Sequence, residues 1–292
     1  MKLVAAPKWI KPTAWSVGTR CSRTPVRVFF MEIGKMKPEK PKLYIASCSF
    51  GKDSIATILL ALENNEPLDR VVFAEVMFDH KRNITGEIPE NIQWIKEVAI
   101  PKLESYGIKV DIVKAKEDYV SVCSRKFKAP KPNGTVYYGI QNSRPCYANT
   151  YLKLEPIKQY YKKIGKDYDI IQYVGIASDE PTRLRRLQGT NKVSLLDKYG
   201  YTEAMAMAKC KEYGLVSPCY TMDTRGGCWF CFNANINRYI SIRRNHPDYW
   251  KAFKELYYQT ESKSFVYSQT LEQIEHRMDA KELNNKLQLS LF

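Results

Sequence analysis

Residues 47–54 read Ser-Cys-Ser-Phe-Gly-Lys-Asp-Ser, between the apolar run Leu43-Tyr44-Ile45-Ala46 and a second run, Ile55-Ala56-Thr57-Ile58-Leu59-Leu60. A buried strand is therefore expected to feed a small-residue loop that opens directly into a helix. That geometry aims consecutive backbone N–H groups, and the positive end of the helix dipole, at whatever lies above the loop. The natural guest is a phosphate or pyrophosphate. Ser49, Ser54 and Lys52 offer hydroxyl and ammonium donors, Gly51 allows close backbone approach, and Ser47 and Asp53 belong to the same candidate nucleotide-contacting segment. The spacing is neither a Walker A loop nor a three-glycine dinucleotide fingerprint.

From Pro41 onward strand and helix patterns alternate. Strands are expected at 43–47, 71–78, 109–113 and 170–176, with helices over about 53–64 and 88–106. This order predicts an α/β fold with a doubly wound parallel sheet, whose ligand lies beyond the carboxyl ends of the strands. After residue 200 the pattern becomes helical and aromatic-rich. Three regions are expected: a basic, poorly ordered extension over 1–40, a nucleotide-binding α/β domain over 41–200, and a helical, cysteine-containing C-terminal subdomain over 201–292.

Two strand ends bear further candidates. Asp79 closes the second run and is placed to contact the adenosine or a magnesium ion. After the fourth run comes Gly175-Ile176-Ala177-Ser178-Asp179-Glu180-Pro181-Thr182-Arg183. Arg185 and Arg186 are expected on a solvated or nucleic-acid-facing surface.

The chain has no uninterrupted apolar stretch of 18 residues and no convincing signal peptide, so a cytoplasmic location without membrane contact is expected. Its net charge of +15 favours an anionic partner, nucleotide or nucleic acid. Eight cysteines in such a chain point to metal or redox chemistry. Cys219, Cys228 and Cys231 cluster in sequence, with Cys146 as the fourth candidate ligand. Four thiolates suit a 4Fe–4S cluster or a structural Zn²⁺ site, and a lone Cys-x-x-Cys could also be a redox dithiol; spacing does not separate these.

Several motifs together carry a family resemblance. Ser49-Phe50-Gly51-Lys52-Asp53-Ser54 resembles the pyrophosphate (PP) loop of the N-type ATP pyrophosphatases, within the adenine nucleotide alpha hydrolase superfamily. Thr85-Gly86 with Pro89-Glu90, the Gly175, Glu180, Arg183 segment, Arg144-Pro145-Cys146 before Leu152-Lys153, Ser217-Pro218-Cys219-Tyr220 and Gly227-Cys228-Trp229-Phe230-Cys231 look like the PAPS reductase-like family. Within it they are most similar to the DNA phosphorothioation sulfur-transfer ATPases of bacteria and phages. The similarity spans roughly residues 41–280.

The resemblance implies a Rossmann-like PP-loop fold, binding of ATP or PAPS with Mg²⁺, and Lys52, Asp53 and Arg183 as the catalytic set. It implies that Gly175, Glu180 and Arg183 sit over the bound nucleotide, with Arg183 on a phosphate and Glu180 or Asp179 on a ribose hydroxyl or magnesium. It also implies Cys146, Cys219, Cys228 and Cys231 as metal ligands, preferably of a 4Fe–4S cluster. It implies adenylation of a substrate in sulfur transfer to a nucleic acid, with a cysteine desulfurase or another sulfur donor as partner. Two departures separate the chain from true sulfonucleotide reductases. No cysteine follows Cys231, and no adjacent Cys-Cys pair exists. Sulfonucleotide reduction therefore remains an alternative only if another thiol, such as Cys123, serves. A non-catalytic nucleotide-binding regulatory or defence component is the third possibility.

Overall fold

In a computed structural model, which describes residues 40–142, 145–220 and 226–289, the apolar run of the first strand becomes the middle of a sheet. The basic extension thus lies, apart from Lys40, outside the described residues, as do Arg144 and Arg225. Strand β1 (Lys42–Ser47) pairs in parallel with β2 (Arg70–Glu75) on one side and β6 (Asp169–Val174) on the other. With β5 (Lys109–Lys114) and β7 (Lys192–Val193) at the edges, the order is β5-β2-β1-β6-β7, all parallel. The fold is therefore α/β, with a five-stranded parallel central sheet flanked by helices.

Side chains alternate across the sheet as strand periodicity requires. Ala46, Val71 and Phe73 bury against α1 (Lys52–Glu63), α3 (Ile100–Ser105), α7 (Leu195–Lys198) and α8 (Glu203–Glu212). Leu43, Ile45 and Val72 bury on the opposite face, where Tyr160, Tyr161 and Ile164 of α5 (Glu155–Ile164) pack. Both faces are covered, and β1 and β2 read as nearly continuous apolar runs for that reason.

A separate apolar core joins distant parts of the chain. Val76, Phe78 and Ile84 pack with Tyr119 of α4 (Tyr119–Cys123) and with Trp229, Phe230 and residues of the last three helices. Those helices are α9 (Ile236–Asn245), α10 (Pro247–Gln259) and α11 (Leu271–Leu289). Side-chain caps start several helices: Asp118, Ser194, Thr202 and Asn235 each accept a backbone N–H three residues on.

Three departures from the sequence expectations have local causes. The apolar run 71–78 is not one strand: β3 (Met77–Asp79) leaves the sheet and pairs antiparallel with β4 (Ile84–Thr85), forming a separate ribbon. The helix expected over 88–106 is α2 (Pro89–Trp94) and α3, joined by the widened π-turn Ile95–Ala99. Pro101 follows that turn, as Pro156 follows a second π-turn, Ala148–Leu154, before α5. Proline lacks an N–H and its ring crowds the carbonyl four residues back, so the preceding turn widens rather than breaks. Last, β7 and the short α6 (Pro181–Leu184) were not foreseen; two and four residues are too few to leave a periodic signal.

Candidate nucleotide and thiol site

The loop 48–51 and the segment after β6 meet at the carboxyl ends of the two central strands, where Ser47 pairs with Val174 in register. The loop turns at Phe50, which takes the left-handed conformation (φ 55°) while its ring is buried edge-on against Phe73 at 5.2 Å. A bulky residue in that region is strained, and the buried ring holds it there. Gly51 is extended (φ −82°, ψ 162°), and a Cβ there would meet only ordinary contacts with Tyr220 Oη and Ser49 Oγ. Glycine is thus not demanded by the turn, and its missing side chain leaves the space above the loop open.

Ser54 ties the loop together. Its Oγ accepts the Ser49 N–H at 3.3 Å and donates to Gly51 O at 2.9 Å. The Lys52 N–H donates to Tyr220 Oη at 3.0 Å, and Ser47 Oγ is 2.8 Å from Tyr161 Oη. Cys48 is buried within the loop, and burial pushes its thiol up to about 11, as suits a small apolar filler. Gly175 abuts the first turn of α1: a Cβ there would stand 2.7 Å from Asp53 C and Ser54 N.

Two adjoining cavities flank the loop. The first, about 430 Å³, is lined by Ser47, Ser49, Ser54, Val174, Gly175, Arg183, Arg186 and Lys192, among others. The second, about 590 Å³, is lined by Ser49, Gly51, Lys52, Asp53, Glu180 and Arg183, with Glu87, Lys153, Glu203 and Tyr220. All the candidate nucleotide contacts but Asp79 and Asp179 therefore gather here; Asp179 is exposed and accepts the Glu203 N–H at 3.2 Å. Asp79 does not line either cavity; because β3 leaves the sheet, its carboxylate instead accepts the Lys81 and Arg82 N–H groups at 2.8 and 3.2 Å. Arg186 lines the first cavity, whereas Arg185 lines a different groove.

The cations of the second cavity are bound to carboxylates. Lys52 Nζ donates to both Asp53 oxygens at 2.9 and 3.0 Å and to Glu203 at 2.8 Å. Burial pulls the Lys52 pKa down, but the Glu203 and Asp53 hydrogen bonds outweigh it and leave it raised, so Lys52 stays charged. Burial raises the Asp53 carboxyl, only partly offset by Lys52, and Glu203 and Glu180 add repulsion. Arg183 pairs with Glu180, whose Oε2 also accepts the Ala177 N–H at 3.2 Å.

Cys146, Cys228 and Cys231 line a third cavity of about 180 Å³, walled by Tyr119, Phe230 and Phe232. Cys219 is buried but does not line it. The Cys-Trp-Phe-Cys turn is fastened to the segment after β4. Trp229 donates its backbone N–H to Gly86 O (3.0 Å) and its indole N–H to Thr85 O (2.8 Å). A Cβ on Gly86 would lie 2.7 Å from Val76 Cγ1, so the Thr-Gly pair serves close packing. Among the described residues no group of three or more His, Cys, Asp or Glu is arranged to hold a metal ion.

Lys153 lines all three cavities and pairs with the buried Glu87 at 3.2 Å. The Glu87 carboxylate is the chief cause of its raised pKa. Lys153, Glu87, Glu203, Tyr220, Arg186 and Lys192 are absent from the sequence-derived site. Lys153 and Tyr220 do stand inside quoted motifs, while Lys192 arrives on the two-residue β7. Cys123 is fully buried and burial pushes its thiol far up, so it is no accessible nucleophile. No helix of the described residues is long and apolar enough to cross a membrane. No family model, curated protein or solved structure matches the chain.

Proposed function

We propose that this chain is an ATP pyrophosphatase of the PAPS reductase-like type, with a PP-loop α/β body and a C-terminal helical part bearing cysteines. It binds an adenine nucleotide and adenylates a substrate, in sulfur transfer to a nucleic acid. The observation that carries this is the convergence of the β1–α1 loop and the Gly175–Arg183 segment on two adjoining cavities at the carboxyl ends of β1 and β6. The larger, charged cavity suits the polyphosphate. The 430 Å³ cavity, with Val72, Phe73 and Ile176 in its wall, suits the nucleoside.

On this reading the loop N–H groups, Lys52 and Arg183 stabilise charge developing on the leaving pyrophosphate, and the protein's main contribution is positioning. Asp53 holds Lys52 in place. A 4Fe–4S cluster, in preference to Zn²⁺, would be held by Cys146, Cys228 and Cys231, which line the thiol cavity, with Cys219 as the remaining candidate. Such a group supplies electron-transfer or sulfur-handling capacity when bound. Sulfonucleotide reduction is the weaker alternative, because Cys123 is buried.

The test is pyrophosphate release from Mg–ATP, with and without DNA or RNA, in wild type and Asp53→Ala. Release that nucleic acid stimulates and Asp53→Ala abolishes is the expected outcome. Sulfite release from PAPS with a thiol donor would favour the reductase, and tight nucleotide binding without turnover would favour a regulatory component.

A further inference from the structure

Residues 119–154 contain no Asp or Glu but six Lys or Arg and six aromatic residues. Much of that stretch is a hairpin. Phe127 N–H bonds to Val136 O, Tyr138 N–H to Arg125 O and Lys131 N–H to Thr135 O, at 2.8–2.9 Å, with Lys126 bridging Tyr137. Pro132-Asn133-Gly134 turns the tip, Gly134 taking φ 80°. Phe127 and Tyr138 stack at 4.7 Å and 28°. Lys131 Nζ sits 4.3 Å from the Phe127 ring and Arg125 4.6 Å from the Tyr151 ring.

Arg125 pairs with Glu117, but Lys126, Lys128 and Lys131 are exposed and, among the described residues, make no ion pair. Three uncompensated cations on one short hairpin repel one another, so their favourable partner is an anion that spans all three. The aromatic row continues from Tyr138 to Tyr147 at 5.8 Å and Tyr151 at 5.9 Å. Tyr147 follows Cys146, which lines the thiol cavity.

We infer that the hairpin Arg125–Tyr138 is the nucleic-acid grip of this protein. Lys126, Lys128 and Lys131 contact successive backbone phosphates, and the half-buried rings at its base support unstacked bases on the way to Cys146. The inference deepens the proposed activity, since it rests on a nucleic acid being the acceptor. An anionic membrane is the less fitting occupant: the tip offers Pro-Asn-Gly and no large apolar side chain to insert.

The experiment measures affinity of the full chain for fluorescent single-stranded DNA, duplex DNA and RNA across 50–200 mM salt. It compares wild type with K126Q/K128Q/K131Q and with a charge-matched control, K102Q/K211Q/K251Q, on α3, α8 and α10. Loss of three phosphate contacts lowers the log–log salt slope by about 2–3 and weakens binding about tenfold or more at the lower salt. The control triple keeps the wild-type slope, and Tyr138→Leu weakens single strands more than duplex. Equal losses in both triples would overturn the inference, as would wild-type binding by the hairpin variant. Hairpin-dependent binding of phosphatidylserine vesicles with none to oligonucleotides would overturn it too. Absence of oligonucleotide binding in wild type that still releases pyrophosphate removes the nucleic-acid acceptor as well. Hairpin-dependent binding in a chain that ignores ATP removes only the adenylation proposal.

Discussion

Gly175→Ala tests whether the end of β6 and the phosphate loop act as one body. Its Cβ would lie 2.7 Å from Asp53 C and Ser54 N and 2.9 Å from Asp53 O, about 0.7 Å inside the distance where ordinary contact begins. All three are backbone atoms of the first turn of α1, so no side-chain rotation relieves the overlap. Either β6 or α1 must move, at a cost of about 1–3 kcal/mol. The movement displaces Ser54 Oγ, which fixes the loop through Ser49 N and Gly51 O. Donors misplaced by most of an ångström make poor hydrogen bonds, and nucleotide affinity falls about ten- to a hundredfold. Gly51→Ala is the contrast. Its Cβ would meet nothing nearer than 3.5 Å and its backbone is extended, so stability changes by less than about 0.5 kcal/mol. Its methyl nevertheless intrudes on the space over the loop, and affinity drops. Urea denaturation and calorimetry with Mg–ATP read both quantities. A Gly175→Ala protein with wild-type midpoint and wild-type Kd would refute the packing argument.

Asp53→Asn is expected to be at least as stable as wild type at pH 7 while losing pyrophosphate release. Burial raises the folded-state carboxyl above its unfolded value, so the native state binds the proton more tightly. That linkage lowers stability as pH rises through the window between those values, and the asparagine flattens the slope; a clear loss of stability at pH 7 would contradict it. Lys153→Met leaves the buried Glu87 unpaired and costs about 3 kcal/mol, the low end for such a pair because Lys153 keeps a quarter of its side chain in solvent; a shift under 1 kcal/mol in urea midpoint analysis would argue against it. Arg186→Ala weakens Mg–ATP binding about tenfold, whereas Arg185→Ala, one residue away but facing another groove, does not; equal effects would remove Arg186 from the nucleotide cavity.

The parallel sheet was legible because its buried strands are unbroken apolar runs and its first loop is compositionally unlike anything around it. Elsewhere the same signal misled. Val71–Phe78 reads as one strand, yet Val76 accepts the Gly86 N–H and starts the turn into the β3–β4 ribbon. Hydrophobicity reports burial, and Val76 and Phe78 are as buried in the second core as Val72 is in the sheet. Asp79 inherited its candidacy from that misplaced strand end. The widened turns before Pro101 and Pro156 show the complementary limit, since apolar periodicity continues through them while the hydrogen bonding changes. Glu87 and Glu203 line the charged cavity and Lys192 the adjoining one, each from a separate part of the chain, a juxtaposition that depends on crossovers and that no local pattern encodes.

The charge balance of the larger cavity bears on how the proposed activity would work. Asp53, Glu87, Glu180 and Glu203 face Lys52, Lys153 and Arg183, and each cation is already paired. A triphosphate entering this space brings negative charge to a site without spare positive charge, and must compete for Lys52 and Arg183. Each pairing it takes strips a carboxylate of its partner, and an unpaired, partly buried carboxylate is costly. On the proposed activity a divalent cation bound with the nucleotide would supply the missing counter-charge, and the carboxylates beside Lys52 and Arg183 are the residues that would hold it. Those carboxylates are Asp53 and Glu203 beside Lys52 and Glu180 beside Arg183. Magnesium would therefore be the counter-charge that lets the nucleotide exchange places with the carboxylates.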